Sequence, residues 1–209
     1  MTLRGRLISF EGMDGAGKSS HIQEVVAVLE ENGFRVLRTR EPGGTPLGEH
    51  LRTLLLNEPM DLETEALLMF AARREHVVRV IEPALSQGVM VVTDRFADAS
   101  FAYQSSARGM AWERMASLES WVLNGLKPDL TFLFDLPPSV AAQRTASRGP
   151  EDKFEKEPES FHQAVREGYL RRLAEDPQRF EVIDAVADFA TVSREVQLAF
   201  EKRLNEWRR

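Results

Sequence analysis

Cysteine is absent from the 209 residues, which excludes disulfides and thiolate metal sites. Histidine is scarce, and His21, His50, His76 and His162 lack metal-ligand spacing, so they read as solvated or hydrogen-bonded side chains. No apolar run approaches the ~20 residues of a membrane-spanning helix. A strand-like run already begins at Leu7, leaving no room for a cleaved leader, and the expected location is the cytoplasm. Net basic charge is lacking as well. At −6 the chain has no electrostatic footprint of a general nucleic-acid or membrane-surface binder, so an anionic substrate would have to be held by local arginines. Repeats and low-complexity tracts are missing. The 43% hydrophobic content suffices for one sizeable core, and a single domain over 1–209 is expected.

The strongest local signal is Gly12-Met13-Asp14-Gly15-Ala16-Gly17-Lys18-Ser19. It fits the phosphate-binding loop pattern of Gly, four residues, and Gly-Lys-Ser/Thr. It follows the apolar run Leu7-Ile8-Ser9-Phe10 and precedes Ile22, Val25, Val26 and Leu29 at helical spacing, the strand–turn–helix context that the chemistry needs. Glycines let backbone N–H groups converge on phosphate oxygens, and the following helix aims its positive end at them. Gly12 through Ser20 are therefore candidates for binding nucleotide phosphates, with Lys18 on the outer phosphates and the Ser19 hydroxyl on Mg²⁺. A glycine-rich turn alone would match by chance in about one chain per hundred of this length.

Further along, Phe34–Thr39 reads as a second strand and Glu41-Pro42-Gly43-Gly44-Thr45 as a loop. A short helix follows near 47–55, and a long one from Leu62 to about Leu85. Val89–Thr93 is a continuous apolar run, typical of a strand buried on both faces, with Asp94 and Arg95 at its carboxyl end. Helical patterns cover 98–104 and 112–123. Leu130–Leu136 is a fourth strand, and Ser139 reads as the cap of a helix to about Ser147. Residues 148–158 are charged and nearly devoid of apolar anchors, and 144–157 read as a mobile lid. A helix from about Phe161 to Leu173, a short strand at 180–183 and a C-terminal helix complete the chain. Alternating strands and helices predict an α/β fold: a five-stranded parallel sheet with helices on both faces, its sites at the strands' carboxyl ends. Asp94 stands there either as a metal ligand or as a helix cap. Arg95 either bridges donor and acceptor phosphates or pairs with Asp94 or Glu41.

With these residues in place, the chain resembles bacterial thymidylate kinases, which have the P-loop kinase fold. The resemblance rests on FEGMDGAGKSS at the start, TREPGGTPLGEHLR at 39–52, LLMFAARREHV at 67–77, TDRF at 93–96, AYQ at 102–104, and Arg144, Arg148 and Lys153 in the lid. It implies transfer of the γ-phosphoryl of Mg-ATP to dTMP, giving dTDP for dTTP synthesis, by a homodimer. By the same resemblance Asp14 holds the deoxyribose 3′-hydroxyl. Arg52 and Arg95 lie near the acceptor phosphate, with Glu41 in the same loop. Arg73 bonds the thymine ring, Ser100 and Gln104 flank the base, and Tyr103 walls off C2′ of the sugar. Either Met69 or Phe70 packs on the base. Arg144 covers adenine. The two residues before Gly17, Gly15 and Ala16, carry no charge, so Arg148, beside Gly149-Pro150, is the candidate catalytic cation together with Lys18 and Arg95. Another nucleoside-monophosphate kinase, of UMP or CMP type, is the nearest alternative, and a non-catalytic nucleotide-binding module a more distant one. A GTPase switch would need an Asn-Lys-x-Asp motif, which is missing.

Overall fold

The computed structural model describes residues 4–145 and 152–208. Five strands, β1 (Leu7–Glu11), β2 (Val36–Arg40), β3 (Met90–Asp94), β4 (Leu130–Asp135) and β5 (Phe180–Asp184), form one sheet in the order β2-β3-β1-β4-β5. All neighbours are parallel, with Ile8 opposite both Val92 and Leu130. The unbroken apolar runs are the inner strands: β1 is buried throughout, whereas the edge strand β2 is half-exposed. Side chains alternate across the sheet. Leu7 and Val91 meet one apolar cluster, and Ile8, Phe10 and Val92 meet another.

The second cluster is filled by α1 (Lys18–Glu31), α8 (Glu159–Glu175) and α9 (Phe189–Trp207); the first by α3 (Leu62–His76), α4 (Glu82–Ser86) and α6 (Trp112–Leu123). Three further helices lie beside the carboxyl edge: α2 (Pro46–Asn57), α5 (Ala97–Ser100) and α7 (Pro138–Thr145). Thr45 caps α2 by accepting from the Gly48 N–H, with Pro46 in the first turn, where its missing N–H costs nothing.

Three local expectations need correction. The long helix expected over 62–85 contains a π-turn at Val77–Ile81 before α4. Pro83 follows in the first turn of α4, where it has no N–H for an i−4 bond and its ring crowds that carbonyl, so the preceding turn widens. Ser139 does not cap α7, because the helix opens at Pro138 and Ser139 lies inside it. The charged segment near 148–158 does have an apolar anchor: Phe154 is buried and meets Tyr103 edge-on at 5.6 Å between centroids.

A second π-turn, Phe101–Ala107, continues α5 and carries Tyr103 and Gln104. Helix α8 lies against it so closely that a Cβ on Gly168 would fall 2.7 Å from Ala102 Cα. That contact brings Tyr169 beside Tyr103, with ring centroids 6.4 Å apart.

Candidate active site

The loop after β1 is built around positive-φ glycines. Gly12 has φ 131°, and a Cβ there would meet the Phe134 carbonyl oxygen at 2.5 Å, so the strand can turn here only without a side chain. Gly17, also left-handed, precedes α1 and supplies no side-chain cap. The first-turn N–H groups of α1 thus lack a side-chain acceptor and point where an anion would sit. Lys18 is buried, and its Nζ donates to the Gly12 and Met13 carbonyls at 2.9 Å each. Burial and the neighbouring Arg95 push its pKa down, against the opposing pull of Asp14.

Ser19 and Asp94 line one cleft, shared with Thr39, Arg40 and Glu49. Asp94 does not cap the helix after it: α5 starts after Phe96 with no side-chain cap. One Asp94 carboxylate oxygen, Oδ1, is buried without a hydrogen-bond partner. A hydroxyl and an unsatisfied carboxylate oxygen on the phosphate side suit a hard divalent cation that keeps most of its water.

Arg95 has φ 67°, uncommon for a residue with a side chain. Three hydrogen bonds hold it there. Its N–H donates to Phe10 O at 2.9 Å, its carbonyl accepts from Thr93 Oγ1 at 2.8 Å, and Glu11 Oε1 accepts from the next N–H, that of Phe96, at 2.7 Å. This turn aims the guanidinium across the sheet edge. Its Nη2 donates to both oxygens of Asp14 at 2.9 Å, its Nη1 donates to the Tyr169 hydroxyl at 2.9 Å, and its carbon stands 4.9 Å from the Tyr103 ring centre. The partner of Arg95 is thus Asp14, neither Asp94 nor Glu41. Burial raises the Asp14 pKa, but Arg95 and Lys18 more than offset it and hold the carboxyl below the usual range.

A second buried cluster lies beside it. Arg73 Nε donates to Glu41 Oε2 at 2.6 Å, Nη1 to Ser100 Oγ at 3.1 Å and Nη2 to Phe96 O at 3.1 Å. His76 Nδ1 lies 2.9 Å from Glu41 Oε1, and its Nε2 lies 2.7 Å from Thr39 Oγ1. Burial opposes ionisation of Glu41, yet Arg73 and His76 lower its pKa on balance. Glu41 is therefore the anchor of Arg73. Arg52, from α2, donates to Pro42 O at 2.9 Å.

Asp14, Glu41, Arg52, Met69, Arg73, Arg95, Ser100, Tyr103 and Gln104 all line one cavity. Phe70 does not: it lies beneath Arg73, 4.5 Å from ring centre to guanidinium carbon, in the α3–α6 core. The sequence reading missed Pro42, Leu56, Phe96, Ala99, Asp152 and Phe154, which complete the lining, and the buried Tyr169 and Glu65 behind it. Phe154 had a signal, being the one large apolar residue in a charged run.

Of the residues expected in the lid, Arg144 donates to the carbonyls of Ala185 at 2.7 Å and Val186 at 3.2 Å. Lys153 pairs with Glu65 at 2.6 Å. Arg148 lies outside the described residues.

Against known proteins, residues 10–196 match the thymidylate kinase family. A thymidylate kinase of Methylobacillus flagellatus is 57% identical, the alignment covering 93% of this chain and 96% of that protein. One of Cupriavidus metallidurans is 60% identical over 88% of this chain and 91% of its own length, and one of Burkholderia vietnamiensis 56% identical over 87% and 90%. A match of this extent, at this identity, over a parallel sheet with a phosphate-binding loop at its carboxyl edge leaves one reading: the chain belongs to the thymidylate kinase family.

Proposed function

We propose that the chain transfers the γ-phosphoryl group of ATP to the phosphate of dTMP, giving dTDP and ADP. The observation carrying this reading is the single cavity that joins Arg73 at one end to Arg95 and Asp14 at the other, opening beside the phosphate loop. The acceptor base lies against Arg73, Ser100 and Gln104, with Met69 packed on its face, since Met69 and not Phe70 lines the cavity. Asp14 takes the sugar 3′-hydroxyl, and Tyr103 forms the wall beside C2′. Arg52 and Arg95 hold the acceptor phosphate as fixed-charge forks. Gly12 through Ser20 cradle the donor phosphates, and Arg144 covers the adenine.

The chemistry is positioning and charge stabilisation. An acceptor phosphate oxygen attacks the γ-phosphorus in line, and the bond to the β,γ-bridging oxygen breaks, leaving ADP. Lys18 offsets charge on the donor side. Arg95 holds the attacking group. Arg148 meets the transferring group. Bound Mg²⁺, held by Ser19 and through water by Asp94, would neutralise donor oxygens. The structure supports a homodimer through α3 and α6, where Trp121 is 78% exposed and Leu67 54% exposed around one apolar groove. No helix among the described residues is long and apolar enough to cross a membrane, which accords with a cytoplasmic enzyme. ADP release with Mg-ATP against dTMP, dUMP, UMP, dCMP and dGMP tests the assignment. We expect dTMP to be best, with dUMP about 10–200-fold poorer for want of one methyl. dCMP or dGMP as best acceptor would refute it.

A further inference from the structure

Glu65, on α3, is completely buried and plays no part in the reaction described above. Its Oε1 accepts from Gln104 Nε2 at 2.9 Å, and its Oε2 faces Lys153 Nζ at 2.6 Å and Arg108 Nη1 at 3.2 Å. Lys153 Nζ also donates to Glu58 O at 3.2 Å. A carboxylate between two cations offers acceptors only. The Gln104 amide therefore has one allowed orientation, NH₂ toward Glu65, which leaves its carbonyl oxygen as the end available to the cavity that Gln104 lines.

That choice has a chemical consequence. A thymine ring presents a carbonyl at C4 and an N–H at N3; cytosine presents an amine and a bare N3 lone pair. Arg73 donates only, and three of its five N–H groups are already used by Glu41, Ser100 and Phe96. A donor at Arg73 beside an acceptor at Gln104 matches thymine and opposes cytosine. A flipped Gln104 amide would offer a donor and favour the cytosine N3.

We infer that Glu65 is a positioning residue for base selection: it fixes the Gln104 amide so that the pocket accepts a ring N3–H and rejects a ring N3 lone pair. Lys153 and Arg108 face the other carboxylate oxygen and hold Glu65 in place opposite the amide. This inference rests on the acceptor assignment proposed above.

The test is kcat/KM for dTMP and dCMP in the wild type, Glu65→Gln and Glu65→Asp. Gln can donate as well as accept, so Gln104 is free to flip. Asp keeps the charge that Lys153 and Arg108 face but is one methylene short of the amide, and it serves if the Gln variant fails to fold. In both, the dTMP-to-dCMP ratio should fall about tenfold or more, mainly through a raised dTMP KM and improved use of dCMP. In a Gln104→Met background the same substitutions should leave the ratio unchanged, because the residue they act through is gone. A wild-type ratio in Glu65→Asp, an equal loss for both nucleotides, or full additivity with Gln104→Met would overturn the role. A wild-type enzyme that itself prefers dCMP would overturn the acceptor assignment instead, so the two failures are distinct.

Discussion

Glu11 ends β1 with no exposed surface. Its Oε1 accepts from the Phe96 N–H at 2.7 Å, while Oε2 is buried without a hydrogen-bond partner. Burial first, and the nearby Asp98 second, push its pKa up to about 8, against the smaller pull of Arg95. In the unfolded chain it titrates near 4.5. Between those values the folded state keeps a proton that the unfolded state has lost. The stabilising contribution is thus complete below about pH 4.5 and declines as pH rises toward 8, by about 1.4 kcal/mol per pH unit. Glu11→Gln mimics the protonated form and keeps an acceptor for Phe96, so it removes this dependence. Its stability advantage over the wild type should grow by about 3 kcal/mol between pH 5 and pH 8. Urea melts of both proteins across that range measure it, and titrating groups remote from Glu11 cancel in the difference. Parallel stability curves would refute the reasoning and show that Glu11 is ionised in the folded protein at neutral pH.

Arg148→Ala should lower kcat by roughly 10² with the dTMP KM little changed, because in the proposed reading its contact is made in the transition state; near-normal kcat at saturating Mg-ATP would move the role to Arg144 or Lys153. Tyr103→Ala should relax the preference for the deoxy over the ribo acceptor. It should also cost about 3–5 kcal/mol of stability, since the ring packs against Phe154, Phe161 and Tyr169; an unchanged deoxy-to-ribo ratio would leave the ring a packing role alone. Trp121→Asp should turn a dimer into a monomer by size-exclusion chromatography, and an unaltered elution volume would exclude the α3–α6 face as the interface.

What was legible in the sequence was local. The phosphate loop is one contiguous stretch whose glycines, lysine and serine act through neighbouring backbone. The inner strands are written as apolar runs because both of their faces are covered. The pairings that give the cavity its character are not local. Asp14 and Arg95 meet only because β1 and β3 are sheet neighbours, and the expected partners of Arg95 were wrong because spacing says nothing about which carboxylate the turn at φ 67° aims it toward. Glu41, read only as sharing a loop with the acceptor-site residues, is buried between Arg73 and His76. Glu65 carried no signal at all: on sequence it is one acidic residue in the first turns of an amphipathic helix. The choice between Met69 and Phe70 needed the helix phase, a rotation of about 100° per residue. Packing supplies that phase by driving Phe70 into the core with Ala66.

The two ends of the cavity are built differently, and the difference follows from burial. At the Arg73 end both members of the ion pair are 3% exposed, and the carboxylate is held again by His76. Removing either partner would strand a buried charge, at a cost of about 3–5 kcal/mol, so this end is rigid before any nucleotide arrives. At the other end Asp14 is 43% exposed, and among the described residues the Arg52 side chain donates to a backbone carbonyl alone. Arg95 directs Nη2 at Asp14 and Nη1 at Tyr169, and a guanidinium with five N–H groups can serve a further anion beside them. A phosphate can therefore be gripped there without breaking a buried pair. In the proposed reading, base selection is set by fixed geometry, while the phosphate end adjusts. That division suits a reaction whose catalysis is alignment: the base fixes where the acceptor lies, and the arginines draw its phosphate into line with the donor held by Lys18.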